Sequence, residues 1–144
     1  MFCDFAFFVG GTRENIADIP ALEKLEGSAG MKVFMGSSTG DLLVDDGVSL
    51  DAIIAKISRR ASFHAEDEDR LKARMDLRKP GDPSSHPVWR DEEAALIATK
   101  RLVGLAEQYG KLAFHMVDTK NIGIGAGQQA MLAAQLLKEG KPLE

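Results

Sequence analysis

Cysteine is nearly absent from this chain: Cys3 is the single one among 144 residues. One cysteine cannot form a disulfide within the chain, so the class of small secreted proteins stabilised by disulfides is excluded. We therefore expect a reducing, cytoplasmic setting.

An excess of positive charge is also missing, since the formal net charge is −4. An acidic chain offers no electrostatic footprint for nucleic acid or for an anionic membrane, so we expect neither as a partner.

Long apolar runs are missing too. The first eleven residues, MFCDFAFFVGG, are interrupted by Asp4 and lack a basic leader. They are too short to cross a bilayer, are not typical of a signal peptide, and are interpreted as a strand.

What is present is the composition of one globular domain, 44% apolar and 28% charged. Short apolar runs alternate with stretches of helical spacing, which predicts four strand–loop–helix units and hence an α/β fold with a parallel sheet. The strands are predicted at residues 5–9, 31–35, 61–64 and 112–117, and helices at about 16–26, 49–57, 91–109 and 128–139. Four such units are half of an eightfold (β/α)8 barrel, which predicts a parallel (βα)4 arrangement.

Capping residues, glycines and prolines set the predicted boundaries of these elements. Thr12 offers an N-cap and Gly27 a C-cap for the first helix, although Pro20 lies inside its pattern and is expected to start or kink it. Residues 36–40 form a loop of small residues, which is typical of a plain turn and also permits close approach of a ligand. Residues 65–90 are polar and contain four residues that break regular structure, and they predict a long surface loop.

Three side chains on neighbouring predicted strands could carry chemistry. His64 ends the third strand and opens into an acidic run, Lys32 lies in the second strand and His115 in the fourth. Inward side chains of adjacent parallel strands meet at the carboxyl-terminal face of a barrel, and two imidazoles suit a zinc-like divalent metal. An ammonium would repel the metal unless Lys32 is carbamylated. The alternatives are a satisfied histidine at a strand end and a lysine that reaches solvent.

Three stretches together resemble the dihydroorotases of the cyclic amidohydrolase superfamily. They are GMKVFMGSSTGDLLVDDG at 30–47, RASFHAEDEDRL at 60–71, and PGDPSSHPVWRDEEAALIATKRLVGLAEQYGK at 80–111. The resemblance implies a TIM-type metallo-dependent hydrolase barrel that interconverts N-carbamoyl-aspartate and dihydroorotate in pyrimidine biosynthesis. It also implies zinc as the cofactor, with His64, His115 and a carbamylated Lys32 as the metal ligands.

The resemblance covers part of such a barrel, about its third to sixth units. The family's His-x-His pair of the first strand, its asparagine for substrate and its aspartate of the last strand have no counterpart here. Residues 1–119 are interpreted as a partial dihydroorotase-like barrel, and residues 120–144 as a divergent tail of the same domain. This incomplete chain is expected to be inactive alone and to form a homo-oligomer.

Two alternatives remain open. One is a non-catalytic half-barrel that self-associates and so covers its open sheet edges. The other treats Gly123, Gly125 and Gly127 as a phosphate-binding turn at the start of a helix, although their spacing differs from the G-x-G-x-x-G pattern and the glycines more simply make a turn.

Overall fold

The structure is a computed structural model, and it describes residues 5–38 and 41–111. Within them, three strands form one parallel sheet in the order β1-β2-β3. Their bounds are β1 Phe7–Gly10, β2 Ser28–Phe34 and β3 Ala61–His64. The predicted parallel α/β class is therefore confirmed. The fourth strand, the glycine-rich turn, the last helix and the interpretation of residues 120–144 lie outside the described residues, so the half-barrel stays a prediction.

The central strand β2 presents two different faces. Met31 and Val33 are fully buried on one face. Lys32 and Phe34 must lie on the other, because successive side chains of a strand point to opposite sides. The register pairs Lys32 with Ser62 and Phe34 with His64 across β2 and β3. One face of the sheet thus belongs to the core. The opposite face carries Lys32 and His64, which the sequence predicted as metal ligands.

Helix α2, Gly47–Lys56, covers the core face of the sheet. Asp46 caps it by accepting a hydrogen bond from the Ser49 backbone N–H at 2.7 Å. Leu50, Ile53 and Ile54 are buried, at the helical spacing that the sequence predicted. Burying side chains of this size stabilises the fold by about 1.5–3 kcal/mol each. Packing of this helix face against the sheet is therefore the main apolar contact of α2.

The first helix is shorter than predicted. Helix α1 covers only Ile19–Leu22, preceded by a 3-10 turn at Ile16–Asp18. Pro20 stands at its start, where the missing N–H costs no hydrogen bond. Helical structure begins after Asn15, not after Thr12, and α1 ends at Leu22, so the predicted caps at Thr12 and Gly27 are both wrong.

The polar segment 65–90 is not the long loop that its composition predicted. It folds into α3 (Glu68–Ala73), two 3-10 turns (Met75–Leu77 and Pro83–Ser85) and α4 (His86–Trp89). A second apolar cluster, of Leu71, Trp89 and Ala94, forms beneath it. The segment thus has a small apolar core of its own. Its content of prolines and charged residues is typical of a loop, so the sequence did not predict this core.

Helix α5, Glu92–Gln108, agrees with the predicted helix within one residue at each end. Asp91 caps it, and Gly110 follows it in the left-handed region at φ 60°. In the part of the chain that the structure describes, neither α5 nor another helix is long and apolar enough to cross a membrane.

Candidate functional site

Lys32 and His64 lie on the same face of the sheet, opposite α2. Phe34 stands between them: the Lys32 Nζ atom is 4.9 Å from the Phe34 ring centroid. The ring centroids of Phe34 and His64 are 5.8 Å apart. Burial lowers the pKa of the half-buried Lys32 amine, because desolvation disfavours the ammonium. The structure therefore brings two of the three predicted residues to one surface.

The imidazole of His64 is held by a carboxylate that follows it two positions later. His64 Nε2 lies 2.6 Å from Glu66 Oε2. The guanidinium of Arg90 is close to both, with Nη2 3.3 Å from His64 Nε2 and Nε 3.0 Å from Glu66 Oε1. These three side chains form a compact cluster, which we call the His64–Glu66–Arg90 cluster.

Glu66 is a carboxylate in this cluster. Burial favours its neutral form, but the hydrogen bonds and charge of Arg90 prevail and hold the pKa of Glu66 below its usual range. The carboxylate can therefore accept a hydrogen bond from an N–H at His64 Nε2. When such an imidazole is neutral, a ring N–H that donates to the carboxylate from Nε2 leaves Nδ1 as the acceptor.

That arrangement fits a metal-binding histidine in part. Ligating histidines commonly donate their second ring N–H to a carboxylate, as His64 does. Within residues 5–38 and 41–111, however, no group of three histidine, cysteine, aspartate or glutamate side chains is placed to hold a metal ion. His115 lies outside the described residues. The described side chains thus supply one suitable imidazole and do not by themselves complete a metal shell.

The loop of small residues that follows β2 is hydrogen-bonded to the acidic residues that follow β3. The Ser37 backbone N–H and hydroxyl both donate to Glu68, each at 2.6 Å, and Glu68 is only 6% exposed. A Cβ at Gly36 would lie 2.8 Å from the Glu66 carbonyl oxygen. The glycine thus permits close approach of the two loops at the carboxyl ends of β2 and β3, as its lack of a side chain allows.

Sequence reasoning missed Glu66 and Arg90 as individual residues of the site. Glu66 could have been found from its position two residues after His64, which places it at the same strand end. Arg90 carried no such signal, because 24 residues separate it from Glu66 and the helices between them were not predicted.

Comparison with solved structures identifies proteins with a similar fold. The chain resembles the L-hydantoinase (dihydropyrimidinase) from Arthrobacter aurescens with a TM-score of 0.63 and 22% identity, over 74% of this chain and 25% of that one. It also resembles a D-hydantoinase with a TM-score of 0.56 and 25% identity, over 69% of this chain and 22% of that one. No family model and no curated protein matches the chain.

These matches define a class of fold. The described part of the chain has a parallel α/β architecture, and its fold is similar to that of part of a hydantoinase. The chain spans about a quarter of the length of these proteins.

Proposed function

We propose that this chain is part of a metal-dependent cyclic amide hydrolase of the dihydroorotase type. The observation that carries the proposal is the placement of Lys32 and His64 on one face of a parallel sheet, with His64 at its carboxyl-terminal end. The likeness to hydantoinases supports the superfamily, and the three sequence stretches quoted above support the dihydroorotase branch and its place in pyrimidine biosynthesis.

Lys32 is suited to carbamylation in this proposal. Carbamylation requires the neutral amine, and burial lowers the pKa of Lys32, which increases the neutral share. The product would be a carboxylate on the same face as His64. The role of Glu66 is to orient the imidazole by holding Nε2, which leaves Nδ1 of the neutral ring as the acceptor.

Zinc remains the expected cofactor of the proposed enzyme, held by His64, His115 and carbamylated Lys32. Because the described residues do not complete a shell, we derive no reaction step through the metal. We expect at most one zinc ion to bind, weakly, and no hydrolysis by this chain alone.

Proton NMR of the three histidine rings tests the proposal on the intact chain, with zinc added. Dihydroorotate should shift the ring signals of His64, which are identified by their loss in His64→Ala. Hydantoin, which lacks the carboxylate of dihydroorotate, is the comparison. A larger shift with hydantoin would favour a hydantoinase-type substrate, and unmoved His64 signals with both compounds would overturn the proposal.

A non-catalytic chain that self-associates is the second candidate. Strand β1 forms one edge of the described sheet, and three phenylalanines around it are exposed: Phe5 by 56%, Phe7 by 68% and Phe8 by 43%. Apolar surface next to an open strand edge favours association. Zinc content by elemental analysis and mass by analytical ultracentrifugation on one sample separate the two candidates. A metal-free dimer supports the second.

A further inference from the structure

A cleft of about 600 Å³ opens between the loop after β2 and residues 75–90. Its walls are formed by small or polar residues of the loop and by basic and apolar residues of the segment. The lining side chains that matter here are Ser37, Arg78, Lys79, His86, Trp89 and Arg90. Only Arg90 also belongs to the His64–Glu66–Arg90 cluster, so the cleft adjoins that cluster without coinciding with it.

The rim of the cleft is a rigid turn. Residues 79–82 form a type II β-turn, in which the Asp82 backbone N–H donates to the Lys79 carbonyl at 3.1 Å. Pro80 and Gly81 occupy the central positions, and Gly81 has the positive φ of 81° that this turn requires. The buried Ser85 hydroxyl accepts from the Lys79 N–H at 3.0 Å and donates to the Asp82 carbonyl at 2.7 Å. The backbone that carries Lys79 is therefore fixed.

The charges of the cleft do not cancel. Glu66 neutralises Arg90, and Asp82 accepts hydrogen bonds from the Ser84 N–H at 3.0 Å and hydroxyl at 2.6 Å. Among the residues that the structure describes, neither Arg78 nor Lys79 has an acidic partner. Two cations against the single charge of Asp82 leave a positive cleft on a chain whose net charge is −4.

Trp89 forms an apolar floor beneath the guanidinium groups of Arg78 and Arg90. It is 7% exposed, and the guanidinium carbons of Arg78 and Arg90 lie 5.9 Å and 4.9 Å from its ring centroid. Stacking on an aromatic face holds a guanidinium in place and reduces the entropy lost when it binds a ligand. The floor also suits the apolar body of a small molecule, as in most ligand clefts.

We propose that this cleft binds the anionic group of a small molecule, a carboxylate or a phosphate, between Arg78 and Lys79. An arginine fork and a lysine ammonium are the donors that recognise both groups. The site does not rest on the proposed hydrolase function, because neither Lys32, His64 nor a metal takes part in it.

Fluorescence of Trp89 reports directly on the cleft, since it is the single tryptophan of the chain. The intact chain is first freed of metal ions on a chelating resin and is then titrated with inorganic phosphate and, separately, with succinate, with potassium chloride keeping the ionic strength constant. We expect a saturable change in emission with at least one of the two anions. Saturation with phosphate alone assigns a phosphate, saturation with succinate alone assigns a carboxylate, and saturation with both assigns their shared chemistry.

Matched variants locate the effect. Arg78→Gln and Lys79→Gln should each raise the dissociation constant at least fivefold, whereas Lys100→Gln on the exposed side of α5 should leave it unchanged. The dissociation constant is compared, not the amplitude, because Arg78 contacts the indole ring. Circular dichroism confirms that each variant is folded. No saturable change in the native chain, or equal dissociation constants in all four proteins, would overturn the proposal.

Discussion

Arg90 and Glu66 form a two-point ion pair across 24 residues of chain: Arg90 Nε lies 3.0 Å from Glu66 Oε1 and Nη2 lies 2.5 Å from Oε2. The same Nη2 atom donates to the Ser37 carbonyl at 2.6 Å. One guanidinium therefore joins the ends of β2 and β3 to the start of α5. The same pair lies beside His64, whose Nε2 atom is 2.6 Å from Glu66 Oε2 and 3.3 Å from Arg90 Nη2.

Replacing Arg90 with methionine should destabilise the chain by about 1–3 kcal/mol, because Glu66 would keep its charge in a largely buried place with His64 as its remaining partner. Urea unfolding measures the change. In a double-mutant cycle, adding Glu66→Gln should recover part of the loss. Additive effects of the two substitutions would show that the pair is not coupled.

Asp91 should make stability depend on pH in the acid range. Arg70 donates to both carboxylate oxygens of Asp91, at 2.7 and 2.5 Å, and holds its pKa at about 2, below the usual 3.8. A carboxyl whose pKa is lower in the folded chain stabilises it above the usual pKa, and this contribution disappears as pH falls from about 4 to about 2. Urea midpoints across that range should fall less steeply in Asp91→Asn, which keeps a capping side chain for α5. Identical slopes would contradict the assignment.

Glu23 should be a strong determinant of stability, although it is a charged residue. It is fully buried and accepts from the Ser58 N–H at 3.0 Å, the Ser58 hydroxyl at 2.8 Å and the Arg59 N–H at 3.1 Å. Glu23→Ala leaves these donors unpaired and should cost about 2–4 kcal/mol in urea unfolding. The exposed Glu26 is the control, and Glu26→Ala should change stability by less than about 0.5 kcal/mol. Equal effects at both positions would refute the role.

Two glycines should respond to alanine in opposite ways. Gly30 has φ 129°, and a Cβ there would lie 2.0 Å from the Arg60 carbonyl oxygen, inside the pairing of β2 with β3. Gly30→Ala should therefore lower the yield of folded protein or its thermal midpoint severely. Gly104 in α5 has open space around it, so Gly104→Ala should stabilise the chain by about 1 kcal/mol through helix propensity. A tolerated Gly30→Ala would contradict the observed register.

The sequence predicts the elements that local signals define. Strand β3 and helix α5 are predicted closely, because an apolar run bounded by polar residues and a capping Asp91 lie within a few residues of the elements they specify. The helices of the polar segment were missed, because distant partners stabilise them: Glu68 of α3 binds Ser37, and Trp89 of α4 packs with Leu71. Lys32 and His64 could be placed at the site from strand position alone. Arg90 could not, since its contact depends on those helices.

Zinc titration by calorimetry tests most directly the claim that the face carrying Lys32 and His64 belongs to a metal-dependent hydrolase. The intact chain should bind at most one zinc ion, weakly. His64→Ala should abolish that binding, because too few ligands remain to compensate, while His86→Ala should bind as the intact chain does. A zinc affinity of His64→Ala equal to that of the intact chain would contradict the account and leave His64 as a structural histidine held by Glu66 and Arg90.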